Sequence, residues 1–352
     1  MDKSANTIHG RGTPINPANR FAPTHTEWFE DYDPSEDPAP RTQLIPDASR
    51  TIISYNDSPD IGFSASINVY RGCEHGCAYC YARPTHEYLG FSAGLDFETK
   101  IVVKYQAPEL LRAELASPKW KPQVIAMSGV TDCYQPAERK LQITRRVLEV
   151  LAEFRNPVAI ITKNHLVTRD ADLLAELARH QAAAVFISMT TLDATLTPKL
   201  EPRAALPQMR LAAIKALHEA GVPVGVLAAP MIPGLNDHEL PNIIAAAAEA
   251  GAQFAGFTPL RLPFAVKDIF CEWLDRHFPG RKENVLNRIR SLRGGKLNDS
   301  HFGSRMRGEG IFADQLEQMF RVAVRKAGLE GRGCELSTAA FRRPGGAQLP
   351  LL

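Results

Sequence analysis

The sequence predicts an α/β protein: a partial TIM-type (β/α)6 barrel with an extended arm before it and a helical extension after it. Three observations lead there. From about residue 62 to 262, short apolar or β-branched runs alternate with helical stretches. Strict alternation of this kind calls for right-handed crossovers and a parallel sheet buried on both faces. The main strand runs number six, fewer than the eight that close a full barrel. An open doubly wound sheet is the competing arrangement. Finally, three cysteines directly follow the first of these runs. That is the carboxyl end of a strand, where ligands bind in either architecture.

Residues 1–60 form the arm. Its first 45 or so residues are rich in Pro, Asn and Thr and lack apolar periodicity. They include an acidic stretch (Glu27, Glu30, Asp31, Asp33, Glu36, Asp37) that reads as solvated chain. Gly10-Arg11-Gly12 and Asn16–Phe21 are too specific for filler and are expected to pack against the body. The barrel spans residues 61–280. Its first strand is expected at Ser66–Tyr70, then a β-like run at Ile101–Tyr105 and a helix at Pro108–Ser117. Strands at Gln123–Ser128, Val158–Thr162, Ala184–Met189, Val222–Ala228 and Phe254–Pro259 follow. Helices at Ala137–Phe154, Thr168–His180, Pro207–Ala220 and His238–Ala250 separate them. Pro207 and Pro241 suit first turns, while Gly221 and Gly251 suit helix ends.

Residues 281–352 are the helical extension, with helices expected at Lys282–Leu292 and Phe312–Ala327. Between residues 281 and 346, fourteen Lys or Arg face seven Asp or Glu. Such an excess suits a phosphate backbone, but solvated helix faces carry similar charge. Aromatic residues are sparse there (Phe302, Phe312, Phe320, Phe341) and no nucleic-acid motif appears.

A chain of 352 residues with 44% hydrophobic residues can bury a large core. No apolar run approaches the ~20 residues of a membrane span. No apolar leader opens the sequence, so a cytoplasmic protein is expected. Six cysteines, three of them within eight positions, do not read as a disulfide framework. Clustered thiols in a reducing compartment more often bind metal.

Cys73, Cys77 and Cys80 lie in Asn68-Val-Tyr-Arg-Gly-Cys-Glu-His-Gly-Cys-Ala-Tyr-Cys-Tyr-Ala82. They supply three thiolates, one short of the four that complete an ordinary iron–sulfur cube or zinc tetrahedron. His75 lies inside the run but is badly placed to close a zinc site on its neighbours. Two other classes compete with an enzyme: a zinc-stabilised nucleic-acid-binding module, and an iron–sulfur electron carrier.

The Cys-x3-Cys-x2-Cys run, with Tyr79 before its last cysteine, resembles the signature of the radical S-adenosylmethionine (SAM) superfamily. The resemblance implies a [4Fe–4S] cluster on Cys73, Cys77 and Cys80, with SAM on the fourth iron. It also implies a reductant such as flavodoxin or ferredoxin, and hydrogen abstraction from a substrate. In this superfamily a Gly-Gly-Glu-like segment binds the SAM amino group, and Gly129, Thr131 and Asp132 stand at that place here. Asp132 is the first choice as acceptor, with helix capping as its rival. Ser188 and Thr190 match ribose-binding positions, and Glu201 would touch ribose or orient Arg203, for which a surface ion pair is the plainer role. Arg203 or Lys163 would bind the carboxylate. Pro233, Gly234 and Asn236 lie in the adenine-side loop.

The stretch Gly129–Glu138 and the Pro-Gly-Leu-Asn-Asp run resemble the branch of spore photoproduct lyase and its DNA repair photolyase-like relatives. That branch makes a nucleic-acid lesion or nucleotide the leading substrate guess. Cys133 and Tyr134, expected at the barrel mouth, are the candidates for hydrogen donation and radical relay. A small core hydrophobe and a rim aromatic are their plainer roles. His86 and Glu87 are general acid–base candidates or, more simply, exposed helix residues.

Overall fold

The computed structural model describes residues 8–21, 40–330 and 333–344. The acidic stretch from Glu27 to Asp37 lies outside them. Among the described residues the strands are, in chain order, β1 (Gln43–Pro46), β2 (Ile53–Tyr55), β3 (Ala65–Ile67), β4 (Tyr70–Arg71), β5 (Lys100–Val103), β6 (Ile125–Met127), β7 (Val158–Thr162), β8 (Ala183–Ser188), β9 (Val224–Met231) and β10 (Phe254–Pro259).

The main sheet has the order β10-β9-β8-β7-β6-β3-β2. The six strands from β3 to β10 in this order are parallel, and β2 adds antiparallel to β3 at one edge. Each parallel strand lies beside its predecessor in that series, so the sheet has no point where strand order reverses. A doubly wound sheet needs such a reversal; a barrel wall does not. Strands β2 and β10 remain edges. The fold is therefore a partial TIM-type barrel, open on one side, as the sequence predicts.

Helices Ala107–Ala116, Ile143–Phe154, Ala171–Ala178, Pro207–Glu219 and Leu240–Glu249 supply the crossovers. Their apolar residues, among them Leu111, Leu148, Leu177, Ile214 and Ile243, join the strands in one continuous core. The expected turn chemistry is present: Pro207 opens its helix and Gly221 follows it at φ +77°.

Three departures from the sequence reading have physical causes. The first strand is split, because the chain leaves the main sheet at Asn68, whose Oδ1 accepts the Val130 N–H at 2.9 Å. It re-pairs as β4 with β5 in a small sheet of order β1-β5-β4. The helix expected over 137–154 breaks at Gln142, which adopts φ +50°. There the buried Glu138 carboxylate turns back to accept the N–H groups of Ile143 and Thr144, both at 3.1 Å. Those are orphan donors at a helix start, and an anion there is doubly favoured. The expected helix over 168–180 begins instead as a 3-10 turn, His165–Asp170, capped by Asn164.

A helix at Val266–His277, not foreseen, follows β10. With Lys282–Leu292 it forms a second apolar cluster that includes Val266, Phe270, Trp273, Leu286 and Ile289. The helix Ile311–Lys326 places Leu316, Ala323 and Val324 in the main core. Residues 333–344 return across the opposite end of the sheet, where Ser337 N–H donates to Gln181 and Arg342 N–H to Phe154. No helix among the described residues is long and apolar enough to cross a membrane.

His86 and Glu87 are buried, not exposed. The arm covers them: Arg20 pairs with Glu87 at 2.7 Å and Asn19 donates to the Glu87 and Phe91 carbonyls. His86 packs between Phe91 and Phe97, ring centroids 5.2 and 5.5 Å away, with both ring nitrogens unpartnered. Burial pushes its imidazole down to about 4, partly offset by Asp96. Below the ordinary histidine value, the unfolded chain takes up a proton that the folded chain refuses, so stability falls with pH in this window. Between pH 7 and about pH 4.5 this group should cost about 2–3 kcal/mol. Denaturant titrations at the two pH values should show that loss reduced in His86→Leu; an unchanged pH slope would refute the assignment.

Candidate functional site

Strand β4 delivers the chain to Gly72 and Cys73 at the mouth of the sheet. The cysteine loop is held through its backbone. The Cys73 N–H donates to Phe97 at 2.9 Å and the Ala78 N–H to Leu200 at 3.0 Å. Arg83, wholly buried, aims Nε at the Cys77 carbonyl (3.0 Å) and Nη1 at those of Ala93 and Gly94. Its Nη2 pairs with Glu98 at 2.5 Å, both groups closed to solvent. The other Glu98 oxygen accepts the Gly12 N–H at 2.9 Å.

Gly12 thereby ties the arm to the loop, as the Gly-Arg-Gly motif led one to expect. A Cβ on Gly12 would stand 1.6 Å from the Gly76 carbonyl oxygen, and one on Gly76 2.6 Å from the Glu98 carboxylate. Only glycine permits that approach. Arg11 adds bonds to the Glu98 and Pro40 carbonyls, and Arg276 reaches the Gly12 carbonyl.

Cys73 and Cys77 are buried and Cys80 is partly open; all three are free thiols. Burial raises each pKa first; Asp132 and the other two thiols add to the rise at Cys73. Lys163 opposes the rise at both Cys77 and Cys80. The thiols thus lie within electrostatic reach of one another. Yet among the described residues no three His, Cys, Asp or Glu side chains group tightly enough to hold a single metal ion.

Among the described residues neither His75 nor a further cysteine offers a fourth ligand. His75 turns Nδ1 to Asp132 (3.4 Å) and Nε2 to Asn164 (3.1 Å), so both ring nitrogens are engaged. Cys133 lies in the main core, Cys271 on the helix Val266–His277 and Cys334 beside Gln181 and Pro223 at the far end of the sheet.

The expected polar residues are brought around this loop, but several are already spent. Asp132 accepts from Tyr134 N–H (2.9 Å), Thr162 Oγ1 (2.8 Å) and Lys163 N–H (2.8 Å), besides facing His75. Its carboxyl is held below the usual range despite burial, by His75 above all. With four partners it has no lone pair left for a ligand's ammonium; it positions His75 and two strand ends. Arg203 pairs with Glu74 at 3.0 Å on the arm side of the loop, beside Thr42. That is the ion pair that stood as its alternative to a ligand carboxylate.

Beneath Tyr79 lies a second buried ionic centre. Glu201 accepts from Tyr79, Arg210, Thr190 (2.6 Å) and Lys163 (3.1 Å). Burial opposes its ionisation, but Arg210 and Lys163 overcome this and hold the carboxyl well below its ordinary value. Lys163 also donates to Ser188 (2.8 Å), Thr190 (3.3 Å) and the Ala229 carbonyl (3.2 Å). Asn236 is buried, accepting Ile232 N–H and donating to the Thr190 carbonyl, each at 2.6 Å. It locks the loop after β9 to β8.

Gly129 stays nearer the opening: its carbonyl accepts Tyr81 Oη at 2.8 Å, and Val130 packs against the cluster of Cys73, Ala82 and Phe97. Thr131 and Gln135 hold the Gly72 carbonyl at 2.7 and 3.3 Å. Pro233 is buried and Gly234 half-buried, the latter against Arg288. Cys133 and Tyr134 are fully enclosed in the main core, not at the mouth. The loop turns inward after Asp132, so neither side chain meets the opening.

Sequence reasoning missed Arg83, Glu98, Asn164 and Arg210. Nothing in isolation marks an arginine as buried. The signal available was the run of small and aromatic residues around Arg83, which leaves it no solvent face.

Residues 67–247 match the profile of the Radical SAM superfamily. An uncharacterized protein of Mycobacterium tuberculosis is 38% identical over 232 residues, 65% of this chain and 67% of its own length. An uncharacterized protein of Methanocaldococcus jannaschii is 29% identical over 222 residues, 63% of this chain and 79% of its own. Among solved structures, spore photoproduct lyase complexed with dinucleoside spore photoproduct superposes with a TM-score of 0.58 at 16% identity, covering 80% of this chain and 79% of that one. At that identity the likeness speaks for the fold.

Gly12→Ala should force arm and loop apart, at a cost of about 1–3 kcal/mol, and speed thiol labelling of the metal-free protein; unaltered labelling would refute the strap. Glu201→Gln strands the buried Arg210 and should cost about 3–5 kcal/mol by denaturant titration, while a loss under 1 kcal/mol would count against the network.

Proposed function

The chain belongs to the radical SAM superfamily, and on that premise we propose that it is an enzyme abstracting hydrogen from a nucleotide-containing substrate. The observation that carries the metal assignment is the set of three thiols with no fourth ligand, since His75 has both nitrogens engaged elsewhere. Cys73, Cys77 and Cys80 would hold a [4Fe–4S] cluster and leave one iron open to SAM. When bound, cluster and SAM supply a one-electron cleavage that yields methionine and a hydrogen-abstracting 5′-deoxyadenosyl radical.

The chain's own residues then have distinct tasks. Lys163, whose side chain keeps 16% exposure, holds positive charge beside Cys77 and Cys80. It offsets the negative charge that three thiolates bring. Main-chain acceptors at Gly129 and Val130 suit the SAM ammonium, and the main chain over Ile232–Gly234 suits the adenine edge. Ser188, Thr190, Glu201 and Asn236 fix these loops; Tyr79 stands on Glu201 and orients the cysteine turn. Asp132 keeps His75 away from the thiols.

The barrel of residues 61–280 would carry the chemistry, with the arm at residues 8–21 and the extension's first helix, Lys282–Leu292, packed beside the thiol loop. A nucleotide substrate is favoured by the shared fold with a lyase solved in complex with dinucleoside spore photoproduct, and by the excess of Lys and Arg over residues 281–346. A low-potential reductant such as flavodoxin or ferredoxin, in the reducing cytoplasm, would supply the electron.

Anaerobic reconstitution, reduction and addition of SAM should give about four irons per chain and 5′-deoxyadenosine, lost in Cys73→Ala, Cys77→Ala or Cys80→Ala. Tightly bound zinc in a colourless protein would support a binding module. A reducible cluster that leaves SAM intact would support an electron carrier. Either result sinks the proposal.

A further inference from the structure

Arg261 stands two residues beyond β10, at the carboxyl end of the last parallel strand. Its Nε is shut from solvent and has no partner. Its Nη1 touches only the Met306 thioether at 3.2 Å, a weak acceptor. No carboxylate among the described residues lies within ion-pair distance of it. A partly buried guanidinium without an anion is costly, and two like charges lie close by.

Those neighbours are fully committed. Arg293 donates to the Ser304, Arg305 and Leu260 carbonyls at 2.8–3.0 Å. Arg305 bonds Asp60 and Ser58, both at 2.5 Å. The nearby acids are also engaged: Asp60 by Arg305 and Gly303, Asp299 by Ser304 and His301. Arg305 thus has a carboxylate and Arg293 three carbonyls, while Arg261 alone of the three has neither.

The surroundings identify the anion it suits. The Arg261 guanidinium lies 5.9 Å from the Tyr81 ring, and Tyr81 directly follows Cys80. Tyr81 is 52% exposed, and Phe302, beneath Arg305 at 4.4 Å, is 62% exposed. A guanidinium without an anion, bordered by open aromatic faces, matches a phosphate ester flanked by a base. We propose that Arg261 binds a phosphate of the substrate and Tyr81 stacks on an adjoining base, at the rim of the thiol loop. This rests on the nucleotide-substrate reading above and deepens it by naming the group that anchors the ligand.

The test is calorimetric titration of the full chain, with its cluster reconstituted, using inorganic pyrophosphate and a short oligothymidylate over a salt series. Arg261→Gln should weaken both about tenfold, as loss of a charge-assisted contact predicts. It should also lower the salt slope for the oligonucleotide by about one. Arg261→Lys should retain the slope, and Tyr81→Leu should weaken the oligothymidylate but not pyrophosphate. Arg290→Gln, on an exposed helix face, is the control for general charge loss. The proposal is overturned if the unaltered protein binds neither probe, or if Arg261→Gln binds both as before. It is also overturned if that variant instead weakens SAM, which would give Arg261 to the cofactor's carboxylate. Formation of 5′-deoxyadenosine without either probe tests the parent reading separately.

Discussion

The buried Arg83–Glu98 pair is the constraint on which the rest of the site depends. A loop whose three thiols are free does not use them to hold itself in place. Its carbonyls must find donors elsewhere, and most are closed to water. Arg83 satisfies Cys77, Ala93 and Gly94 with one planar fork. A lysine, with its compact ammonium, cannot reach carbonyls spread across one plane. Glu98 neutralises the charge and uses its remaining oxygen to bind the arm at Gly12. The same pair therefore shapes the loop and recruits the chain's beginning to cover it.

A second ionic centre works from the other side. Glu201 gathers Arg210, Lys163, Thr190 and Tyr79 beneath Cys77, joining the ends of β7 and β8 to the loop that follows them. Such a centre gains little net stability over apolar packing. It does put one lysine charge where thiolates develop, and it removes polar groups from competition with the thiols. The buried charges thus serve position and potential more than adhesion.

How much of this the sequence disclosed follows from the range of each interaction. The cysteine spacing and the strand–helix alternation are local patterns, and the open sheet in monotonic order follows them closely. The break at Gln142 depends on Glu138 turning back, which competes with a continuous helix on nearly equal local terms. The burial of His86 and Glu87 depends on an arm about 70 residues away in sequence, so no periodicity around them reveals it. Asp132 and Arg203 show the same limit from another direction. Their chemistry suits a ligand, yet which partner a carboxylate or guanidinium takes is decided by strands and loops that the local sequence does not mention.

The apolar contacts extend the argument to the chain's end. Cys77, Ala78 and Tyr79 share one cluster with Leu262, Val266, Phe270 and Trp273, and with Val285, Leu286 and Ile289 of the extension. Trp273 also donates to the Lys199 carbonyl at 2.7 Å, close to the Glu201 centre. The thiol turn is therefore packed on helices that lie outside the residues matching the superfamily profile. Arg261 lies just before the first of these helices, Arg293 caps the end of Lys282–Leu292, and Arg305 stands on the short helix Ser304–Arg307 that follows. A substitution that alters the rim must also press on the turn beneath it. Because a close-packed interior transmits such displacements, changes at the rim and changes in the setting of the thiols are coupled through shared side chains rather than residing in separable modules.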